Sequence, residues 1–134
     1  MQANLGDSTL TNYSLNKAKG GAGEGIAGIY LKKHGFELVE NNYRNKHGEI
    51  DIIAIKYNKK EPVYHFIEVK FRLSDKYGHG REAVGRTKQK RIRSTAQYYL
   101  IEKGLHDRVY SCFDVIEITG TLDNPHIEFL ENCF

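Results

Sequence analysis

Apolar and polar residues alternate with two different periods along this chain, and the changes of period divide it into seven predicted elements. Helical spacing occurs twice, with Ile26, Ile29 and Tyr30 on one stripe and Ile92 and Tyr99 on another. Segments rich in β-branched and aromatic residues indicate strands. The predicted elements are a helix over 22–34, strands over 36–44, 49–57 and 63–72, a helix over 82–103, and strands over 110–119 and 126–130.

The order of these elements, αβββαββ, is typical of an α/β fold in which helices flank a mixed central sheet. A chain of 134 residues can bury one core, so we predict a single domain over residues 20–134. Residues 1–19 combine Asn, Ser, Thr and Gly without a sustained period, which indicates a flexible segment.

The start of the chain is polar and lacks the apolar core of a secretory signal. No apolar run approaches the roughly 20 residues needed to cross a bilayer. Cys112 and Cys133 are too few for a disulfide framework. Pairing of the last two strands would bring them close, but two buried free thiols are the favoured interpretation. We therefore expect a cytoplasmic protein with no membrane partner.

Positive charge is concentrated in one part of the chain. The net charge is only +3, but residues 70–93 hold nine Lys or Arg against Asp75 and Glu82, a local net charge of +7. Such polarisation favours a polyanionic partner such as DNA, because each phosphate contact releases condensed counterions. A solvated helix face rich in Lys and Arg fits the same pattern, and charge alone does not separate the two interpretations.

Two neighbouring predicted strands carry charged residues two positions apart. Glu49 and Asp51 project from one face of the second strand, and Glu68 and Lys70 from one face of the third. If these strands form a hairpin, three carboxylates and one ammonium group converge beside an otherwise apolar sheet. Charged groups in such a place require an ionic partner or a bound metal ion.

Cleavage of a phosphodiester bond uses this set of groups. Mg²⁺ prefers carboxylate oxygens while retaining water and binding phosphate oxygens, and it lowers the pKa of its bound water. Asp51 and Glu68 supply the carboxylates, and Lys70 supplies an amino group that can orient or help deprotonate the attacking water, or offset the developing charge. The structural alternative is an ordinary ion pair between Glu68 and Lys70 on an exposed strand, with Asp51 a polar residue at a strand end.

The motifs of the chain resemble the YraN family of small bacterial proteins, within the PD-(D/E)XK nuclease superfamily. The matching segments are Gly23-Glu24 with Ala27, and residues 31–36, 42–44, 48–54, 66–72, 77–78, 82–84, 88–100 and 113–115. Several spaced motifs occur in the same order, and the resemblance extends from about residue 17 to residue 134.

This resemblance implies a restriction-endonuclease-like core in which Asp51 and Glu68 bind Mg²⁺ or Mn²⁺ and Lys70 is catalytic. Glu24 matches an additional acidic residue of the Holliday-junction-resolvase-like branch. It shares a helical stripe with Ala27 and can face inward. An acidic residue in the first turn of a helix is also favoured by the helix dipole, and the two interpretations of Glu24 have equal weight.

Five basic residues are candidates for contact with nucleic acid: Arg44, Arg72, Lys88, Lys90 and Arg91. Lys88 precedes Ile92 by one turn and can reach a phosphate or a site carboxylate, or simply extend from the end of the apolar stripe into water. Lys90 and Arg91 contact phosphates or form a solvated surface. Arg44 and Arg72 contact phosphates or balance the charges of the sheet.

The chain departs from the family pattern at Cys112, where such proteins usually carry Arg, so an ion pair made there is missing or replaced. Asp114, an acid in an apolar strand, is expected to be the buried partner of an Arg. No zinc site is expected, because the histidines lack the helical spacing of metal ligands. The six are His34, His47, His65, His79, His106 and His126.

The predicted function is therefore that of a Mg²⁺- or Mn²⁺-dependent DNA endonuclease acting on branched or repair intermediates. The alternative is a nucleic-acid-binding or adaptor protein that keeps the fold without catalysis, because a fold does not define an activity. Many proteins of this fold act as dimers that address two strands of nucleic acid. The resemblance therefore allows a homodimer.

Overall fold

The computed structural model describes residues 22–71, 84–121, 123–132 and 134. Several predictions lie outside this range: the flexible segment over residues 1–19, Arg72 with the loop that follows it, and Cys133. Glu24 lies in a described helix, but its side chain is outside the described part.

The described residues form two helices and five strands, which confirms that the fold is of the α/β class. Their bounds are α1 Ala22–Lys33, β1 Glu37–Asn45, β2 Gly48–Asn58, β3 Glu61–Phe71, α2 Arg86–Glu102, β4 Tyr110–Gly120 and β5 Pro125–Leu130. Neither helix is long and apolar enough to span a membrane.

The prediction was wrong about where the second helix begins. It starts at Arg86, because Gly85 has extended backbone angles (φ −76°, ψ 173°) and Val84 is also outside the helix. Gly85 acts as the N-cap residue, and its carbonyl oxygen accepts the hydrogen bond of the Gln89 amide at 2.9 Å. The basic residues from Arg86 onward therefore lie in the first turns of α2.

The five strands lie in the sheet in chain order, β1-β2-β3-β4-β5. Neighbouring strands are antiparallel except for β3 and β4, which are parallel, so the sheet is mixed. A parallel pair requires a crossover connection, and α2 lies in that connection.

The sheet has one helix on each face. Ile26, Ala27 and Leu31 of α1 pack in one buried cluster with Ile52 and other residues of the sheet. The second cluster contains Ile92, Ala96, Tyr99 and Leu100 of α2 together with Ile50, Ile53 and Phe66 of the sheet. Because successive residues of a strand point to opposite faces, Ile67 belongs to the α1 cluster and Phe66 to the α2 cluster.

Candidate active site

Strand β3 presents Glu68 and Lys70 on the face that α2 covers. They continue the alternation that places Phe66 in the α2 cluster, whereas Ile67 and Val69 pack against α1. The Lys70 Nζ lies 3.6 Å from the Glu68 Oε2. Glu68 is only 7% exposed, so its carboxylate requires cationic partners or a metal ion.

Asp51 lies where strands β2 and β3 stop pairing. The register of the two strands ends at Ile52 opposite Ile67, one residue after Asp51 and one before Glu68. The Asp51 Oδ2 accepts a hydrogen bond of 2.8 Å from the backbone N–H of Val69, the residue between Glu68 and Lys70. This bond fixes the Asp51 carboxylate against the segment of β3 that carries the other two groups.

Helix α2 adds a second lysine to this group. The Nζ of Lys88, in the first turn of α2, forms an ion pair with the Oε2 of Glu68. Burial alone would lower the pKa of Lys88, but the hydrogen bond and charge of Glu68, with the charge of Asp51, outweigh it and raise the pKa. Lys88 therefore remains an ammonium group between these carboxylates. We call Asp51, Glu68, Lys70 and Lys88 the acid–lysine cluster.

The third carboxylate expected here is absent from the cluster. Glu49 turns outward, where its Oε1 accepts a hydrogen bond of 2.9 Å from the Arg44 guanidinium. Among the described residues, Glu49 does not join Asp51 and Glu68 in a group of three close metal-ligating atoms. The expected convergence of three carboxylates was therefore wrong, because the exposed Glu49 side chain forms an ion pair with Arg44.

Beside the acid–lysine cluster, the β1–β2 turn and the start of α2 enclose a cleft of about 730 Å³. We call it the basic cleft, because the one acidic residue among its described lining residues, Glu49, is already paired with Arg44. Its lining consists of Arg44, Asn45, Lys46, His47, Gly48, Glu49, Lys88, Arg91 and Ile92. Arg44, Lys88 and Arg91 were predicted from the sequence, whereas Lys46 and His47 were not. Their position in the turn directly before the Gly-Glu-Ile-Asp segment could have identified them, because that turn lies next to the predicted site.

The β1–β2 turn is held firmly against α2. The Asn45 side-chain amide donates to the Thr95 carbonyl oxygen at 3.2 Å, and its Oδ1 accepts from the His47 N–H at 2.8 Å. At Gly48 a Cβ atom would lie 3.0 Å from the Thr95 Oγ1. The wall of the cleft is therefore a defined structure that depends on a glycine.

Residues 23–118 match the model of the Uncharacterised protein family UPF0102. The chain belongs to this family. It is 46% identical to a UPF0102 protein of Clostridium botulinum strain 657 over 124 residues, which is 91% of this chain and 98% of that protein. It is 42% identical to a UPF0102 protein of Clostridium perfringens over 121 residues, 89% of this chain and 95% of that protein.

The UPF0102 match confirms the family-level resemblance found in the motifs under the name YraN. The matched residues 23–118 include the whole acid–lysine cluster and every residue that lines the basic cleft.

Two further predicted residues of the UPF0102 protein occupy other places. Lys90 is exposed and lines a separate cavity of about 430 Å³ together with Arg86, Gln89 and Arg93.

Asp114 is completely buried, but its partner is His65 rather than an arginine, with 2.6 Å between the His65 Nδ1 and the Asp114 Oδ2. The arginine prediction was wrong because β3 places a histidine beside this acid. The position of a histidine 49 residues away in the chain is visible only once the strands pair.

In a Glu68→Gln variant of the metal-free UPF0102 protein, we expect the pKa of Lys88 to fall below its value in the wild-type protein. The substitution removes the negative charge that raises this pKa, whereas the burial that lowers it remains. NMR titration of ¹³C-labelled lysine side chains measures the change, with exposed Lys90 as the internal control. An unchanged pKa of Lys88 would show that its ammonium group does not meet Glu68 in solution.

Replacing Gly48 by Ala is expected to destabilise the UPF0102 protein by about 1–3 kcal/mol. Gly48 has φ of +149°, and the added Cβ would approach the Thr95 Oγ1 to 3.0 Å. Denaturant unfolding measures the effect. The control is Gly85→Ser, because Gly85 has φ of −76°, nothing within 4 Å of a Cβ, and an N-cap position that serine favours. Equal stability of the two variants would contradict the close approach of the turn to α2.

Proposed function

We propose that this UPF0102 protein is a metal-dependent endonuclease that hydrolyses phosphodiester bonds in DNA. The observation that carries the proposal is the acid–lysine cluster. In it, a nearly buried Glu68 lies between Lys70 and Lys88, and Asp51 is fixed by the backbone of the same strand. Two carboxylates next to two ammonium groups are a set of groups that binds a hard divalent ion and a phosphate together.

Asp51 and Glu68 would hold the ion, Mg²⁺ or Mn²⁺, which when bound supplies a more acidic water and charge for the phosphate oxygens. The donor atoms fit this requirement, because both residues offer carboxylate oxygens. Glu68 is confined by burial, and Asp51 is oriented by its bond to the Val69 N–H.

Lys70 and Lys88 have different tasks in this proposal. Lys70 is half-buried on β3 beside Glu68, where its ammonium group can orient the attacking water. In its neutral form, after its proton has passed to solvent, the Lys70 amine can instead take a proton from that water. Lys88 also lines the basic cleft, so it faces the path of the substrate. When a phosphate enters, the Lys88 ammonium can turn from Glu68 to the phosphate and leave the carboxylate to the metal ion.

The basic cleft would bind the sugar–phosphate backbone next to the acid–lysine cluster. Its lining includes four Lys or Arg residues, Arg44, Lys46, Lys88 and Arg91, and the ring of His47. Charges of this kind position DNA through its phosphates, which favours recognition of shape over base sequence. Branched and repair intermediates are substrates in which shape distinguishes one DNA from another.

We infer that the protein also belongs to a nuclease superfamily. The two flanking helices and mixed sheet agree with a restriction-endonuclease-like core and with membership of the PD-(D/E)XK superfamily. Glu24, in the first turn of α1, would complete the acidic site as in the Holliday-junction-resolvase-like branch. We also propose that the protein acts in the cytoplasm as a homodimer, in which each subunit cleaves one of two DNA strands.

A non-catalytic nucleic-acid-binding or adaptor protein is the second candidate. The observation in its favour is that the Glu68 carboxylate already contacts both Lys70 and Lys88, so its charge is balanced without a metal ion. In that case the acid–lysine cluster would join β3 to α2, and the basic cleft alone would be functional.

A cleavage assay separates the two candidates. The substrates are linear duplex, single-stranded, flapped and four-way-junction DNA, each with Mg²⁺, with Mn²⁺ and with a chelator. The endonuclease proposal requires metal-dependent cleavage that disappears in Lys70→Met and persists in Lys90→Met, which removes the same charge from an exposed position on α2. Metal-independent binding without cleavage of any substrate would overturn it and favour the adaptor.

Replacing Arg91 by Ala is expected to weaken DNA binding without changing its sequence preference. Because Arg91 lines the basic cleft, its loss should remove one phosphate contact. The negative slope of log K against log salt should then become less steep by about 0.9 for duplex DNA. Fluorescence anisotropy at several salt concentrations measures the slope. Lys56→Ala is the matched control, because Lys56 lies over the Phe36 ring at 5.0 Å, away from the cleft. Equal losses in the two variants would contradict binding through the cleft.

A further inference from the structure

A second group of metal-ligating side chains lies on the face of the sheet opposite the acid–lysine cluster. It consists of His65, Cys112 and Asp114, each of which offers one ligand atom within 4.8 Å of the others. Among the described residues this is the one such group of three. None of its members has a part in the proposed endonuclease site.

The parallel pairing of β3 and β4 brings these residues together. His65 lies directly opposite Cys112 in the register, and Asp114 follows Cys112 by two residues, so all three point to the α1 face. The Phe36 ring, a member of the α1 cluster, meets the His65 ring edge-on at 5.0 Å. The site is thus built on two central strands and closed on one side by an aromatic ring.

The three side chains are held in positions from which they can act as metal ligands. His65 and Asp114 are almost completely buried, at 3% and 0% exposure. The Asp114 Oδ1 accepts a hydrogen bond of 2.7 Å from the backbone N–H of Asn132, which orients the carboxylate. Its Oδ2 faces the His65 Nδ1 at 2.6 Å, and the Cys112 thiol completes the group.

We propose that His65, Cys112 and Asp114 bind a divalent transition-metal ion of the zinc class. Imidazole and thiolate ligands select zinc over Mg²⁺, which prefers oxygen ligands alone. Zinc bonds of about 2.0–2.3 Å in a tetrahedron separate neighbouring ligand atoms by roughly 3.3–3.8 Å. The His65 Nδ1 and the Asp114 Oδ2 are 2.6 Å apart and no two ligand atoms of the group are more than 4.8 Å apart, so side-chain shifts of about 1 Å would reach this geometry. The ion would replace the proton between His65 and Asp114 and displace the proton of Cys112, so binding releases protons.

Sequence reasoning led to the opposite expectation. No zinc site was expected because the histidines lack helical spacing, whereas here one ligand comes from β3 and two come from β4, more than 40 residues later in the chain. The site is independent of the proposed nuclease activity, because it uses the other face of the sheet and ligands that suit a different class of metal ion.

The test is titration of the metal-free, reduced protein with Co²⁺, a spectroscopic substitute for zinc. We expect a thiolate-to-cobalt charge-transfer band that saturates at one equivalent, is bleached by Zn²⁺ and is unaffected by excess Mg²⁺. Cys112→Ser should abolish the band. Cys133→Ser and Asp51→Asn should each retain it, which assigns the thiolate to Cys112 and separates this site from the acid–lysine cluster.

A second measurement guards against misfolding of a variant. Zn²⁺ should raise the melting temperature of the wild-type protein and of Cys133→Ser but not that of Cys112→Ser, because an ion bound only by the folded state stabilises it. Circular dichroism establishes that Cys112→Ser is folded. The proposal is overturned if the wild-type protein gives no band, or if the band survives in Cys112→Ser.

Discussion

Replacing Asp51 by Asn is expected to reduce metal-dependent DNA cleavage by at least about 10³-fold, with the fold and DNA binding retained. Asparagine keeps a side-chain oxygen that can accept the Val69 N–H, so the junction of β2 and β3 stays intact. The substitution removes one charged metal ligand, and the bound ion is worth several kcal/mol in the transition state. Each 1.4 kcal/mol corresponds to about tenfold in rate.

Initial rates at saturating Mg²⁺, with binding measured in a chelator, test this expectation. The matched control is Glu49→Gln, which removes an acid two residues away on the same strand. Glu49 is exposed and paired with Arg44, so its loss should leave most of the activity. If Asp51→Asn cleaved DNA within about tenfold of the wild-type rate, the ion would not be held by Asp51 and the proposed site would be wrong.

Replacing Asp114 by Ala is expected to lower the free energy of unfolding by about 3–5 kcal/mol. Both members of its pair with His65 are buried, so the substitution leaves the imidazole without its partner. It also removes the acceptor of the Asn132 N–H, a hydrogen bond that joins the turn after β5 to β4. Small domains have only about 5–15 kcal/mol of stability, so this loss would leave the protein close to unfolding.

Denaturant unfolding in the absence of transition metals measures this loss. Glu128→Ala is the control, because Glu128 is exposed on β5 and its removal should change stability by no more than about 0.5 kcal/mol. Asp114→Asn should cost less than Asp114→Ala, because the amide oxygen still accepts the Asn132 N–H. A loss below about 1 kcal/mol in Asp114→Ala would show that the buried pair contributes little to the fold.

Much of the fold and three of the four residues of the acid–lysine cluster follow from local patterns. The α/β class and all seven elements were predictable, because alternation of period two and helical spacing are properties of neighbouring residues. Asp51, Glu68 and Lys70 could be chosen in advance for the same reason. Residues two positions apart on a strand lie on the same face, so the sequence alone indicates which charged residues of two adjacent antiparallel strands share a face.

The remaining features depend on contacts between distant parts of the chain. Docking of α2 on the sheet brings Lys88 to Glu68 and sets the β1–β2 turn against Thr95, which creates the basic cleft. Parallel pairing of β3 with β4 brings His65 to Cys112 and Asp114. No periodicity of a single segment encodes the register of a crossover connection or the placement of a helix, because both arise when buried surfaces from separate segments pack together.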